Sequence, residues 1–428
     1  MAENYIVEGK RVVKLVMVSE QNNNKFYNMF EQADGTIKVN YGRVQGTSQT
    51  MSYPAKQWDK IYREKTRKGY KDVTHLFKEV LQGSTGSTGG SAGGKELFKI
   101  SNLNIRNFIE RIRLFATKSV KENYTVSQDD VTQEQVDYAQ EILNQISNGL
   151  SKLSDSDINE KLIELYSVIP RKMDNVKNYL VKQNGTQKEK QEWLNSLIDN
   201  EQKTLDVMAG QVELNRKQKA VESEEKEDKE VEEINILDIM GIQMEEVDDS
   251  DISKIKHLLG PNSHQFKAAF RVLNNKTESE FTKNLSKANN KKTELFWHGS
   301  RNENWFNILQ SGLLIRPSGA VYTGSMFGDA QYFADKAQKS IGYSSLSGSY
   351  WARGNSSTGY LALYEVHVGN QKHIHKHDSS CYSLNKSRIS KEGFDSVFAH
   401  GGADLRNNEY MVYDNSQSTI RYIVEISN

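Results

Sequence analysis

Residues 295–313 read LFWHGSRNENWFNILQSGL, and this stretch decides the fold of the C-terminal half. Leu295, Phe296 and Trp297 form a short apolar and aromatic run, the composition of a buried strand. The run ends on His298 and Gly299. A glycine there lets backbone approach a ligand without a side chain in the way. The histidine before it can hydrogen-bond that ligand through either ring nitrogen.

The pattern continues outward from that stretch. Short β-branched and aromatic runs at 332–334, 360–368, 396–399, 409–413 and 420–426 alternate with glycine-rich turns. They predict a mostly β domain with a few helices from about residue 235 to 428. Tyr332 and Tyr343 bracket a helical stretch that carries Ser340, and two tyrosines can sandwich a flat heteroaromatic ring. Glu409 stands between Asn408 and a strand. Taken singly, each of these residues is as readily structural. His373, His375 and His377 alternate, so a strand would place them on one face. No carboxylate or cysteine completes a ligand set at a recognisable spacing, so a surface hairpin is expected there and no metal.

The chain has 428 residues, too many for one typical core, and two or three domains are expected. No apolar run approaches the roughly 20 residues of a membrane helix. The opening MAENYIVEGKRVVKLV lacks the pattern of a secretory signal. The single Cys381 excludes an intramolecular disulfide and fits a reducing compartment. Formal net charge is zero, but residues 1–80 carry about +5 by count and residues 222–233, ESEEKEDKEVEE, are strongly acidic.

These features divide the chain. Residues 1–82 predict a small α/β unit: β-branched Val12–Val18, two further strands flanking the turn signal Asp34-Gly35, and a helix opening at Ser52-Tyr53-Pro54 that Gly69 ends. Residues 83–95 are a Gly/Ser/Thr linker of flexible-coil composition. Residues 96–215 hold four apolar stripes at helical spacing. They begin with Ile105, Phe108, Ile109 and Ile112, and the third ends at Pro170. An all-α bundle is expected there, followed by an acidic linker over 216–234. The fold class is therefore multidomain α+β.

Three strings carry a resemblance: FWHGSRNENWFNILQSGL, TGSMFGDAQYFADKAQKSIGY and NNEYMVYD. In this order they resemble the catalytic core of the poly(ADP-ribose) polymerases, from about Val247 to the C-terminus. The resemblance implies a β-rich ADP-ribosyltransferase fold, pentosyl transfer from NAD+, and no metal. It maps a catalytic histidine–tyrosine–glutamate set to His298, Tyr332 and Glu409. It implies NAD+ contacts from His298, Gly299, Ser300, Asn304, Tyr332, Ser340 and Tyr343. Lys339 falls near the acceptor site, an ordinary exposed lysine being the plainer alternative. One departure is visible: Leu314 follows Gly312-Leu313 where the family often has arginine, and the nearest arginine is Arg316.

The string LIELYSVIPRKM at 162–173 resembles the autoinhibitory helical domain that precedes this core in DNA-dependent members. NKFYNMFEQADGTIKVNYGRVQGTSQT in the first unit resembles a WGR domain, with Tyr41 in place of the name-giving tryptophan. That resemblance implies contacts to DNA ends or nicks, with Arg43, Tyr41, Lys65, Arg67 and Lys68 as candidates. The expectation is a monomeric polymerase, activated by DNA breaks, that modifies itself and other proteins. It would be nuclear in a eukaryote and cytoplasmic otherwise. A mono-ADP-ribosyltransferase on the same fold and an inactive DNA-end-binding scaffold are the alternatives.

Overall fold

Gly35 adopts φ +77°, the left-handed geometry that a tight turn demands, and the strands on either side pair as the sequence predicts. The computed structural model describes residues 5–7, 9–77, 100–150, 152–182, 186–224, 235–315 and 326–428. The linker expected at 83–95, residues 225–234 of the acidic segment and Arg316 lie outside the described residues.

The first sheet comprises β1 (Tyr5–Val7), β2 (Lys10–Ser19), β3 (Asn23–Glu31), β4 (Thr36–Arg43) and β5 (Gln49–Pro54) in that order, with β6 (Lys71–Asp72) beside β2. Its neighbours pair antiparallel. Val13, Leu15, Tyr27, Met29, Ile37 and Val39 bury one face against Trp58 and Ile61 of the helix Trp58–Arg67. Pro54 does not open that helix. It closes β5 opposite Thr36, and a 3-10 turn, Ala55–Gln57, intervenes. A proline is tolerated there because β5 is an edge strand, where a missing N–H leaves no ladder bond unmade.

Four long helices follow: Leu103–Asn123, Gln133–Gly149, Asp155–Val168 and Gln187–Glu224. Thr132 and Ser154 close capping boxes with Gln135 and Asp157, which fixes two of the starts. The third helix stops before Pro170 because the residue ahead of a proline is driven out of the helical region, and Ile169 is extended. The fourth runs past residue 215 to Glu224, since NRKQKAVESE keeps straight-chain helix formers.

The chain divides into two compact units: Met1–Gly93 with Ser119–Asn215, and Gly94–Lys118 with Arg216–Asn428. In the first unit the Asn24 side chain donates to the Arg171 carbonyl (3.1 Å), and Asn22 Oδ1 accepts from Val176 N (3.1 Å). Arg171 and Glu201 form an ion pair there at 3.0 Å, both side chains less than a tenth exposed.

The second unit is built on two sheets. The five-stranded sheet runs β7 (Ile242–Glu246), β8 (Phe266–Asn274), β15 (Ser418–Ser427), β11 (Thr358–His367) and β9 (Thr293–Gly299), all antiparallel. The four-stranded sheet runs β10 (Gln331–Phe333), β14 (Glu409–Val412), β13 (Ser396–Ala399) and β12 (Gln371–Ile374). Trp297 and Ala334 exchange backbone hydrogen bonds of 2.8 and 3.0 Å, tying β9 to the chain just beyond β10. Phe108, in the first part of the helix Leu103–Asn123, packs 5.2 Å from Phe270 and 5.5 Å from Tyr360. Arg111 there makes a two-pronged bond to Glu425.

The hairpin expected around His373 is absent. β12 pairs parallel with β13, and the helix Lys386–Lys391 lies between them in sequence, so this is a crossover.

Candidate active site

β9 is buried at Phe296 and Trp297, and its apolar run delivers His298 and Gly299 to the end of the strand. His298 is enclosed by the rings of Trp305, Phe333 and Tyr364, at 6.4, 6.0 and 6.1 Å between centroids. Its Nδ1 lies 3.1 Å from the Tyr332 carbonyl oxygen. A carbonyl only accepts, so Nδ1 carries the proton and Nε2 remains an acceptor. Burial in this ring cage lowers the imidazole pKa, which keeps the ring neutral.

Gly299 is required by close approach. A Cβ there would stand 1.9 Å from the backbone oxygen of Ser340, on the short helix Ala337–Ile341. That helix places Lys339 and the buried Ser340 beside the end of β9, and Tyr343 follows one turn on.

Tyr332 lies on β10. Its hydroxyl accepts from Phe327 N (3.1 Å) and donates to the Gly328 carbonyl (2.7 Å), so the phenol end is held by two bonds. Burial raises its pKa well above the ordinary phenol value. Burial also pushes Tyr343 up to about 12. Both stay neutral at physiological pH.

Glu409 is the first residue of β14 and pairs across to Ala399. Its carboxylate forms an ion pair with the Lys339 ammonium, and both side chains are nearly covered, at 14% and 13% exposed. Lys339 is thus not the ordinary surface lysine of the plainer reading. Burial lowers its pKa, and the Glu409 charge opposes that. Asn408, the residue before, donates to Asp335 Oδ2 (2.7 Å) and accepts from Gly401 N (3.0 Å), which pins the entry to β14.

These residues meet in one cleft lined by Trp297, His298, Gly299, Tyr332, Phe333, Ala334, Lys339, Ser340, Tyr343 and Glu409. Seven of the ten carry the sequence expectations. Trp297, Phe333 and Ala334 were not singled out, although FWHG and YFAD place each beside a residue that was. Ser300 and Asn304 do not line the cleft. Asn304 donates to Ser300 Oγ (2.9 Å) at the start of the next helix. Leu314 lies apart, lining a separate small cavity with Lys276, Tyr364 and Asn415.

The histidine triplet does not converge. His373 Nδ1 is 2.8 Å from His400 Nε2, His375 stacks on His400 at 4.0 Å, and His377 turns to the Met326 carbonyl. Among the described residues no group of three or more His, Cys, Asp or Glu is placed to hold a metal ion.

The candidate DNA contacts lie in the first unit. Arg43 is exposed and donates to the Asn22 carbonyl (2.8 Å). Tyr41 packs 5.6 Å from Tyr27, and the Lys65 ammonium sits 4.2 Å over the Tyr27 ring. Lys68 pairs with Glu64 at 2.6 Å, whereas Arg67 is exposed. Arg11 in that unit is engaged by Glu31 at 2.9 Å.

Residues 249–428 match the family model of the poly(ADP-ribose) polymerase catalytic domain. The chain is similar to two proteins of Invertebrate iridescent virus 6. It is 35% identical to putative poly [ADP-ribose] polymerase-like 100L over 36% of this chain and 81% of that one. It is also 35% identical to uncharacterized protein 101L over 48% and 79%. It is 32% identical to poly [ADP-ribose] polymerase 2 of Homo sapiens, over 31% of this chain and only 26% of that protein. The fold and the matched domain define an NAD+-dependent ADP-ribosyltransferase, with NAD+ as substrate. The chain belongs to the poly(ADP-ribose) polymerase family.

Proposed function

We propose that this enzyme transfers ADP-ribose from NAD+ to protein acceptors, itself included, and extends the first unit into polymer. The observation that carries the proposal is the convergence of His298, Gly299, Tyr332, Lys339, Ser340, Tyr343 and Glu409 on one cleft. The cleft suits NAD+ on its own chemistry. The Ser340 backbone packs so closely on Gly299 that no Cβ fits between them, and both residues line the cleft together with the two tyrosines.

In this reading Gly299 backbone and Ser340 hydroxyl hold the nicotinamide carboxamide, and Tyr343 and Tyr332 face the ring. His298 accepts a ribose hydroxyl of the adenosine part through Nε2. Glu409, ion-paired with Lys339, accepts from the 2′-hydroxyl of the nicotinamide ribose.

Cleavage of the bond between the ribose anomeric carbon and the nicotinamide nitrogen sends the bonding pair to nicotinamide. Positive charge then grows on the ribose, as in glycoside hydrolysis. A fixed carboxylate beside it stabilises that charge where it develops. The acceptor attacks the same carbon, and its proton passes toward Glu409. Orientation supplies the rest of the rate.

We further propose that DNA breaks activate the enzyme through residues 1–82, with the helices of 96–215 restraining the site until they open locally. The basic bias of the first 80 residues and the exposed Arg43 and Arg67 support this. Labelled NAD+, incubated with the protein with and without nicked duplex DNA and resolved on a gel, tests the whole proposal. A ladder that intensifies with DNA is expected. A single discrete shift means mono transfer, and no turnover means a scaffold.

A further inference from the structure

Tyr350 and Trp351 are among the most exposed large hydrophobic side chains of the described residues, at 73% and 55%. The fold holds this pair firmly. Trp351 N and Ala352 N both donate to the Gly342 carbonyl at 2.9 Å. Arg301 donates to the Ala352 carbonyl at 2.9 Å. Ser347 N donates to the Ser356 carbonyl (2.8 Å), and Ser356 N to the Ser345 carbonyl (2.9 Å), which closes the loop at its base. Arg353 takes φ +48°, rare for a residue with a side chain, and Gly354 N is received by Ser349 Oγ at 2.7 Å. This is a stiff shelf, and it presents an indole to solvent.

The indole has a partner on its inner side. Its ring lies nearly parallel to Tyr343, 19° apart with centroids 6.1 Å apart, and Tyr350 meets it edge-on at 4.6 Å. Tyr343 in turn lines the cleft. A substrate ring laid on Tyr343 would thus rest on a ring whose plane Trp351 matches.

We propose that Trp351 is a positioning residue for the nicotinamide end of NAD+. It holds the plane of Tyr343 from outside the cleft. The inference rests on the placement of NAD+ under the proposed function and goes beyond it in naming a residue outside the cleft that acts through Tyr343. A ring stacked on Tyr343 is held alike in the ground state and the transition state, so loss of Trp351 appears in KM rather than kcat.

The test compares Trp351→Ala, Trp351→Phe and Tyr343→Ala in the full chain. KM for NAD+, kcat, and the inhibition constant of nicotinamide are measured for each. For Trp351→Ala the expected result is KM raised about fivefold to tenfold, with kcat within about twofold and the nicotinamide constant raised alongside KM. Trp351→Phe falls between Trp351→Ala and the parent. An unchanged KM in Trp351→Ala, or a nicotinamide constant that stays put while KM rises, overturns the inference. If Tyr343→Ala also leaves KM unchanged, the placement of NAD+ itself fails.

Should Trp351→Ala not fold, Trp351→Leu, which keeps apolar bulk without a ring, takes its place. A raised KM with kcat unchanged is expected, and the parent KM overturns the inference.

Discussion

Lys339 and Glu409 share one ion pair in the cleft, and neither can be altered without exposing the other. Lys339→Met leaves the Glu409 carboxylate without its counter-charge in a covered site. The variant is expected to lose transfer activity about tenfold or more, and Lys339→Arg to recover part of it. Activity of Lys339→Met at the parent level contradicts the pairing. Gly299→Ala is a sharper change, because its methyl would stand 1.9 Å from a backbone oxygen that cannot swing aside. Loss of NAD+ binding or a lower Tm is expected, read by titration and thermal melting.

His298 gives a pH prediction with a definite sign. Its pKa is lowered by burial, so the neutral ring is the resting form. NAD+ affinity should hold through neutral pH and fall only below about 6.5, the ordinary histidine value, once Nε2 is protonated and stops accepting. An affinity that falls on going from pH 8 to 7 contradicts that assignment.

At the scale of elements, the legible parts are those where local pattern and tertiary pairing agree. The stripe Val136, Ala139, Ile142, Leu143 and Ile146 is buried as spaced, and Asp34-Gly35 turns its hairpin. The cleft is legible because its residues cluster in three strings, at the end of β9, along β10 and the helix after it, and at the start of β14. β8 was not. FKAAFRVLN carries two alanines and a leucine, good helix formers, and becomes a strand only because β15 and β7 flank it. Trp351 is not legible in the sequence because its meaning depends on a loop that folds back to Tyr343. Nothing in SGSYWARG states that contact.

Two element-scale variants follow. Thr132 caps its helix and also donates to the Leu76 carbonyl at 2.6 Å, so Thr132→Ala should cost about 1–2 kcal/mol in denaturant unfolding. Glu201→Ala removes the partner of the buried Arg171 and should cost about 3–5 kcal/mol. A loss under 1 kcal/mol for Glu201→Ala would mean that Arg171 finds water on opening.

The whole molecule joins a matched catalytic region, residues 249–428, to two regions that the match does not cover. The chain spans about a quarter or less of the cellular polymerases it matches. If residues 1–82 bind DNA through phosphates, the affinity for a nicked duplex should fall steeply with salt. Arg43→Ala together with Arg67→Ala should then weaken binding and flatten that slope. Binding that is insensitive to salt contradicts a phosphate-led contact.

The central claim is that Glu409 acts on the ribose and the acceptor while the rest of the cleft holds NAD+. Its most direct test compares the parent with Glu409→Gln, using labelled NAD+ and broken DNA. The product is followed on a gel and NAD+ binding is followed by titration. The account predicts that the variant loses polymer, with transfer reduced about 100-fold or more, while NAD+ affinity stays within about threefold. A full polymer ladder from Glu409→Gln would contradict it.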